Sequence, residues 1–225
     1  MMLSWQQIPS PVVSELLCNT GLDGVVIDTE HGFFNNETLF SCIQVIKLSN
    51  KKCFVRLTEP HKTTTRACLD AGIDGIIFST VETAQQAAAI HEICKYPKFG
   101  GRRGLGLVRE NKWGNEELIS KPPIIVAQIE TIAGINNLHQ ICSYNFDFYM
   151  IGPYDLSASL GIPANFDNEE YLSSIEKIRS TIPIEKMAVH IPTDVKNQIK
   201  KYQDYGIIAV GMDTTGLLEF YKGLI

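Results

Sequence analysis

The sequence lacks the features that mark several large classes of protein. The chain has 225 residues and a net charge of −5, and no basic cluster indicates a face for nucleic acid. No apolar run approaches the roughly 18 residues that a membrane-spanning helix needs. The first residues, MMLSWQQIPSP, have neither the basic nor the apolar region of a signal peptide. We therefore expect a cytoplasmic protein with no nucleic-acid partner and no membrane partner.

Cysteine is present without the patterns that usually give it a role. The six cysteines are scattered, with no CxxC pair and no zinc-site spacing. Most stand among apolar residues, and we expect reduced, buried thiols. The residues are Cys18, Cys42, Cys53, Cys68, Cys94 and Cys142.

Two glycine motifs are also absent. No GxGxxG follows the first predicted strand, which argues against a dinucleotide-binding fold. No GxSxG elbow is present either, which argues against an α/β-hydrolase.

What the chain does contain is a repeated alternation of strands and helices. Eight short apolar runs are each followed by a segment of helical character, which implies parallel strands and right-handed crossovers. An open doubly wound sheet also alternates in this way, but eight complete units favour closure. The sequence therefore predicts one α/β domain over residues 1–225, a (β/α)₈ TIM barrel. The runs are SWQQI, GVVIDTE, KCFVRLT, GIIFSTV, IIVAQIE, DFYMIG, KMAVHI and IIAVGMD.

One connection is unusually long. Residues 97–123 join the fourth predicted helix to the fifth strand. Long connections in compact domains are often active-site lids, which favours a functional or subunit-interface role. The alternative is a plain surface excursion.

Polar residues collect at the predicted C-terminal ends of the strands, where barrels of this kind carry their active sites. Gln128 and Glu130 share one face of their strand because side chains alternate, and so do Asp28 and Glu30. The remaining strand-end residues are His31, Arg56, Gly152, Pro153, Tyr154, Asp155, Asp213 and Thr214.

Arg56 is the only arginine embedded in an apolar strand-like run. A buried guanidinium keeps its charge and needs an anionic partner. The pattern leaves two alternatives open, a structural carboxylate and an oxyanion of the substrate.

Glu130 and Asp155 are candidate metal ligands. Carboxylates from neighbouring strands, with water and substrate oxygens completing the shell, suit Mg²⁺ or Mn²⁺. The alternative is that these carboxylates cap helices or pair with lysines.

His31 is a candidate base, with a loop histidine as the alternative. Asp28 is positioned to orient its imidazole. His190, at the end of the seventh strand, is held in reserve. No lysine stands at a strand's C-terminal end, which disfavours a Schiff-base mechanism.

The spaced set of motifs resembles the metal-dependent pyruvate aldolases of the HpcH/HpaI type, from about residue 5 to the C-terminus. The motifs are GLDGVVIDTEHG, FVRL followed by LDAGIDGII, VAQIET, IGPYDLSASLG and AVGMDTT. The resemblance implies a (β/α)₈ barrel that cleaves or forms a 4-hydroxy-2-oxo acid, from pyruvate and an aldehyde, through a metal-stabilised enolate. It implies a divalent cation, Mg²⁺ or Mn²⁺ with Co²⁺ as a further candidate.

The family's roles transfer residue by residue. Glu130 and Asp155 match the two metal ligands. Arg56 matches the arginine that contacts the enolate. His31 matches the catalytic base, and Asp28 matches its orienting carboxylate.

Other positions match the family's substrate-binding residues. Gln128 matches a polar residue that lines the site. Gly152, Pro153 and Tyr154, together with Asp155, match the turn that receives the carboxylate of the 2-oxo acid. Trp5 matches an aromatic residue near the site.

The resemblance also implies assembly through the last helix, as dimers grouped into hexamers. The chain departs from the family at Ser79, where proline is usual, and at Arg103, where glycine is expected. An alternative on the same scaffold is a malyl- or citramalyl-type acyl-CoA lyase or a 2-oxo acid decarboxylase. A basic patch for CoA would come from Arg102, Arg103, Arg109 and Lys112.

Overall fold

The computed structural model describes residues 1–119 and 121–224 and forms a closed barrel of parallel strands. The strands pair in sequence order, and β8 closes on β1. This confirms the predicted (β/α)₈ barrel. The strands are β1 Met2–Gln6, β2 Gly24–Asp28, β3 Lys52–Leu57, β4 Gly75–Phe78, β5 Ile124–Ile129, β6 Phe148–Ile151, β7 Met187–Ile191 and β8 Ile207–Val210.

Helices surround the barrel, and several begin at recognisable caps. Asn35 accepts a hydrogen bond from the Thr38 amide, and Thr83 forms a capping box with Gln86. The helices are α1 Pro11–Cys18, α2 Asn36–Leu48, α3 Lys62–Asp70, α4 Ala84–Cys94, α5 Ile132–Asn136, α6 Leu138–Cys142, α7 Pro153–Ser159, α8 Glu169–Thr181, α9 Val195–Gln198 and α10 Asp213–Lys222. Within the described ranges, no helix is long and apolar enough to cross a membrane.

The core has two parts. A large cluster fills the space between strands and helices and contains five of the six cysteines, all six of which are free thiols. A smaller cluster fills the inside of the barrel. Five of the cysteines are thus buried, small apolar side chains, as the sequence predicts, and Cys142 is half-buried.

The inside of the barrel is layered. Around the sheet the register shifts by about one residue per strand, so side chains at one level come from alternate strands. One apolar level consists of Leu3, Phe54, Val126 and Ala188. The level above it consists of Val26, Ile77, Met150 and Ala209.

The described part of the long connection, residues 97–119 and 121–123, lies at the N-terminal end of the barrel. It leads from α4 to the start of β5, and Arg103 within it is buried against Asp70, Glu110 and the ring of Tyr96. The expectation of an active-site lid is therefore wrong for this chain, because a segment that precedes a strand lies at the end opposite the C-terminal mouth.

Candidate active site

Four planar polar side chains form the next level toward the C-terminal mouth. The register places Trp5 of β1, Arg56 of β3, Gln128 of β5 and His190 of β7 at one height, all pointing inward. Apolar layers fill the barrel beneath them, so this level is the floor of the site. We call these four residues the floor.

A cavity of about 340 Å³ lies above the floor. Its walls come from the loops that follow the strands, which is where barrels of this kind carry their sites. The described residues that line it include no lysine, in agreement with the sequence argument against a Schiff base. They are Trp5, Gln7, His31, Arg56, Gln128, Met150, Ile151, Gly152, Pro153, Tyr154, Asp155, His190, Pro192, Thr193, Met212 and Thr215.

Arg56 is held by two carboxylates. Its Nε and Nη2 atoms lie 2.9 and 2.7 Å from the two oxygens of Asp28, which is its register partner across β2 and β3. Its Nη1 atom lies 2.7 Å from Glu30, and the Ser79 hydroxyl donates to Glu30 at 2.8 Å. Arg56 therefore pairs with structural carboxylates and also lines the substrate cavity, so both alternatives left open by the sequence apply to it. A guanidinium has five N–H groups, and the contacts with Asp28 and Glu30 use three of them.

Asp28 is fully buried beneath the mouth. Burial raises the pKa of its carboxyl group, but the hydrogen bonds and charge of Arg56, with help from Gln7 and Trp5, outweigh burial and lower the pKa to about 2. The Trp5 indole donates at 3.2 Å and the Gln7 amide at 3.0 Å. Asp28 is therefore an anion that fixes the floor.

The expected contact between Asp28 and the imidazole of His31 is not among the contacts of the described residues. Asp28 accepts from the main-chain amides of Glu30 and His31 instead, at 3.1 and 3.3 Å. The carboxylate beside the ring is that of Glu30, with 3.8 Å between Oε2 and His31 Nε2. Both oxygens of Asp28 accept hydrogen bonds from Arg56. The side chain of His31 is 57% exposed and lies at the rim of the cavity.

Glu130 is buried and held by neutral donors. The main-chain amide and the hydroxyl of Thr80 lie 2.7 and 2.9 Å from its Oε1 atom, and Gln128 Nε2 donates to Oε2. Gly152 lies directly against this carboxylate, since a Cβ atom there would stand 2.2 Å from Glu130 Oε2. The glycine at the end of β6 is thus required by the position of Glu130.

The electrostatics of this corner suit a cation. Burial raises the pKa of Glu130; the Thr80 hydroxyl lowers it in part, and the charges of Asp155 and Glu30 raise it further. Among the ion pairs of the described residues, none involves Glu130 or Asp155. Gln128 Oε1 is buried without a hydrogen-bond partner.

Two carboxylates and an unpartnered amide oxygen are the oxygen donors that Mg²⁺ and Mn²⁺ prefer. The residues therefore fit the implied metal. In the described part of the chain, no group of three His, Cys, Asp or Glu side chains forms a complete metal site by itself. Substrate or water oxygens would have to complete the coordination.

The turn after β6 has fewer main-chain N–H groups free to bind a substrate carboxylate than the sequence suggests. Pro153 has no N–H, and the Gly152 amide is directed at the Ile129 carbonyl at 3.4 Å. The amides of Tyr154 and Asp155 remain for a substrate carboxylate, since both residues line the cavity.

His190 is the floor residue that sequence reasoning left in reserve. Its ring stacks on Trp5 with centroids 4.0 Å apart and planes at 11°. The signal that identifies it is parity, since His190 in MAVHI has the same inward phase in β7 as Arg56 has in β3.

The basic residues suggested for CoA lie far from the mouth. Arg103 is buried and paired, and Arg109 donates to the Ala71 carbonyl at the N-terminal end of the barrel. The patch expected for an acyl-CoA lyase is therefore not beside this site.

Comparison with known proteins finds relatives that are aldolases of 2-oxo acids. A 4-hydroxy-2-oxovalerate aldolase from Rhodococcus jostii (strain RHA1) is 30% identical over 219 residues, which cover 93% of this chain and 84% of the relative. A 2-keto-3-deoxy-L-rhamnonate aldolase from Shigella boydii serotype 4 (strain Sb227) is 28% identical over 219 residues, covering 93% and 82%.

A solved family member from Burkholderia cenocepacia J2315 superposes with a TM-score of 0.90 at 21% identity, covering 100% of this chain and 92% of that one, which supports the fold. The aldolase relatives identify the chain as an enzyme of the lyase class. The family profile described as HpcH/HpaI aldolase/citrate lyase matches residues 2–219, and the chain belongs to that family.

Proposed function

We propose that the protein is a class II pyruvate aldolase that cleaves or forms a 4-hydroxy-2-oxo acid. The observation that carries the proposal is the pair Glu130 and Asp155, two carboxylates without a cationic partner among the described residues, next to a floor that presents Arg56 and Gln128. The relatives that are aldolases of 2-oxo acids support it.

Glu130 and Asp155 are the residues that would hold the divalent cation, Mg²⁺ or Mn²⁺ with Co²⁺ as a further candidate. Such a cation, when bound, supplies Lewis-acid polarisation of the 2-oxo group. Thr80 and Gln128 fix the Glu130 carboxylate from behind and so preset its orientation.

The substrate carboxylate binds the turn after β6. The amides of Tyr154 and Asp155 donate to it, and this anchors the pyruvyl half over Gln128. The 2-oxo group then lies over the floor, within reach of Arg56.

Arg56 stabilises the enolate. Three of its N–H groups contact Asp28 and Glu30, which leaves two N–H groups for a substrate oxygen in the cavity that Arg56 lines. Because the two carboxylates hold the guanidinium rigid, the donors need little reorganisation as charge develops on the enolate oxygen.

His31 is the base in the cleavage direction. It removes the proton of the C4 hydroxyl group, the C3–C4 bond breaks, and the aldehyde leaves as the bonding electrons form the pyruvate enolate. A proton added at C3 then gives the methyl group of pyruvate. Because His31 is exposed at the rim of the cavity, its imidazole can return the proton to solvent.

The experiment compares His31→Ala with Arg56→Lys in two reactions, aldol cleavage and proton exchange at the pyruvate methyl. We expect His31→Ala to lower cleavage by roughly 10²–10⁴-fold while pyruvate still binds. Arg56→Lys should lower both reactions, because lysine cannot reproduce the planar fork. Wild-type cleavage by His31→Ala, or an adduct trapped by borohydride on a lysine, contradicts the proposal.

A further inference from the structure

His190 is a floor residue whose polar atoms have no role in the reaction proposed above. It lines the same cavity as Arg56 and Gln128. One face of its ring stacks on the Trp5 indole, and the Arg56 guanidinium lies 4.9 Å from the centroid of the same indole. The ring therefore has a fixed plane.

The tautomer of His190 is fixed as well. Its Nε2 atom lies 2.9 Å from the carbonyl oxygen of Gly211. A carbonyl oxygen only accepts hydrogen bonds, so Nε2 carries the proton. The neutral ring then holds its lone pair on Nδ1.

The Nδ1 atom is the ring nitrogen that remains for a ligand in the cavity that His190 lines. No donor among residues 1–119 and 121–224 bonds to it. The described polar side-chain atoms that are buried without a partner are Thr65 Oγ1, His91 Nε2, Arg103 Nε and Gln128 Oε1. His190 Nδ1 is not one of these, so it is not sealed in the core.

The cavity thus has two chemically different sides. On one side Arg56 and the turn amides donate hydrogen bonds, which suits the carboxylate and the enolate. On the other side His190 offers a lone pair, which repels an oxyanion and suits a hydroxyl hydrogen. The wall beside His190 is formed by Pro192, Thr193 and Thr215.

We propose that His190 determines the specificity for the aldehyde, by accepting at Nδ1 a hydrogen bond from a hydroxyl group on the aldehyde-derived half of the substrate. The substrate class is accordingly a hydroxylated aldehyde rather than a simple alkyl aldehyde. The proposal rests on the proposed aldolase function.

The charge state of His190 agrees with this role. Burial lowers the pKa of the imidazole, the Gly211 carbonyl raises it in part, and the charge of Arg56 lowers it, to about 4. The ring is neutral at physiological pH and is an acceptor at Nδ1 throughout that range.

The test measures kcat/KM for addition of pyruvate to glycolaldehyde and to acetaldehyde, which differ by one hydroxyl group. The variant His190→Phe keeps a ring on Trp5 but has no acceptor, and His190→Gln restores an acceptor oxygen. We expect the glycolaldehyde-to-acetaldehyde ratio to fall about 10-fold or more in His190→Phe and to recover partly in His190→Gln. Exchange of the pyruvate methyl protons needs no aldehyde, and it is measured on each variant to show that the variant still binds pyruvate and forms the enolate.

The possible results distinguish a failure of the His190 proposal from a failure of the proposed aldolase function. An unchanged ratio in His190→Phe, or an equal loss with both aldehydes, overturns the proposal. A wild-type enzyme without methyl exchange rejects the proposed function itself and this inference with it. Nitrogen NMR of the wild-type ring gives an independent measurement that needs no variant, and a proton found on Nδ1 rather than Nε2 overturns the proposal.

Discussion

Thr80 donates two hydrogen bonds to a single oxygen of Glu130, one from its main-chain amide and one from its hydroxyl group. It does so from a left-handed backbone conformation, with φ at +52°. Such a conformation is unfavourable for a β-branched residue and costs on the order of 1–3 kcal/mol. The strain is located where it turns the amide toward the proposed metal ligand.

The hydroxyl of Thr80 should therefore matter for cation binding. In Thr80→Val the branched shape and the backbone strain remain while the hydroxyl is lost. We expect the affinity for Mn²⁺ to fall roughly 10-fold. Titration calorimetry measures the affinity, and Thr80→Ser is the control that keeps the donor. Equal affinities in the two variants would show that the main-chain amide alone positions Glu130.

Removing the cation, or its ligand, should abolish aldol cleavage. EDTA should stop the reaction, and Mn²⁺, Co²⁺ or Mg²⁺ should restore it. Glu130→Gln should fold but lose at least about 10-fold in cation affinity. Undiminished cleavage in excess chelator contradicts the assignment.

Glutamine is a better replacement than alanine at this position. Alanine would leave the Thr80 amide and the Gln128 amide group as buried donors without an acceptor, which costs about 1–3 kcal/mol for each group. Glutamine keeps an acceptor for Thr80, and its new N–H group can bond to Gln128 Oε1, which is now unpartnered, after a flip of the Gln128 amide. A comparison of melting temperatures should therefore rank Glu130→Gln above Glu130→Ala.

Acid should weaken the fold through Asp28. The folded pKa of about 2 lies below the ordinary value of 3.8, so this carboxylate stabilises the fold fully above pH 4. The contribution, about 2 kcal/mol, is lost as pH falls from about 4 to 2, because the unfolded chain takes up the proton first.

Urea unfolding of wild type and Asp28→Asn at pH 5 and pH 3 measures this contribution. The wild type should be more stable at pH 5, and the difference between the two proteins should shrink at pH 3. A difference that is the same at both pH values would mean that Asp28 has an ordinary pKa in the fold.

The last helix predicts an assembly. In α10, Leu217, Leu218, Phe220 and Tyr221 are each more than half exposed. Apolar side chains of this kind on one helix mark a contact surface. We expect a homo-oligomer built from dimers, grouped into hexamers as the sequence resemblance implies, and we expect Phe220→Glu to dissociate it. Light scattering at micromolar concentration measures the mass, and a monomeric wild type contradicts the prediction.

The barrel and much of its mouth could be predicted because both follow from local patterns. The parity of side chains along FVRLT and IIVAQIE places Arg56 and Gln128 inward, and the register puts them on the floor. His190 obeys the same rule, but a single histidine in an apolar strand does not reveal what its nitrogens bind.

Other features depend on contacts between distant segments. The partner of the His31 ring could not be deduced, because Asp28 has several possible neighbours and Arg56 occupies both of its oxygens. The strained backbone of Thr80 leaves no mark in the sequence, since threonine is common after a strand. The expectation of a lid at residues 97–123 was wrong because it used only the length of the segment, whereas the order of helix before strand already places the segment at the N-terminal end of the barrel.

The position of the 97–123 connection bears on two properties, thermal stability and substrate selectivity, because the connection and the floor lie at opposite ends of the strands. Arg103 is buried among Asp70, Glu110 and Tyr96 at one end of the strands, and the floor lies near the other. If His190 selects the aldehyde as proposed, stability and selectivity depend on different parts of the chain, and each can be engineered without the other. Directed evolution that diversifies residues 97–123 should produce thermostable variants with unaltered aldehyde preference, while libraries at His190 and its neighbours should redirect the aldehyde at little cost in heat resistance.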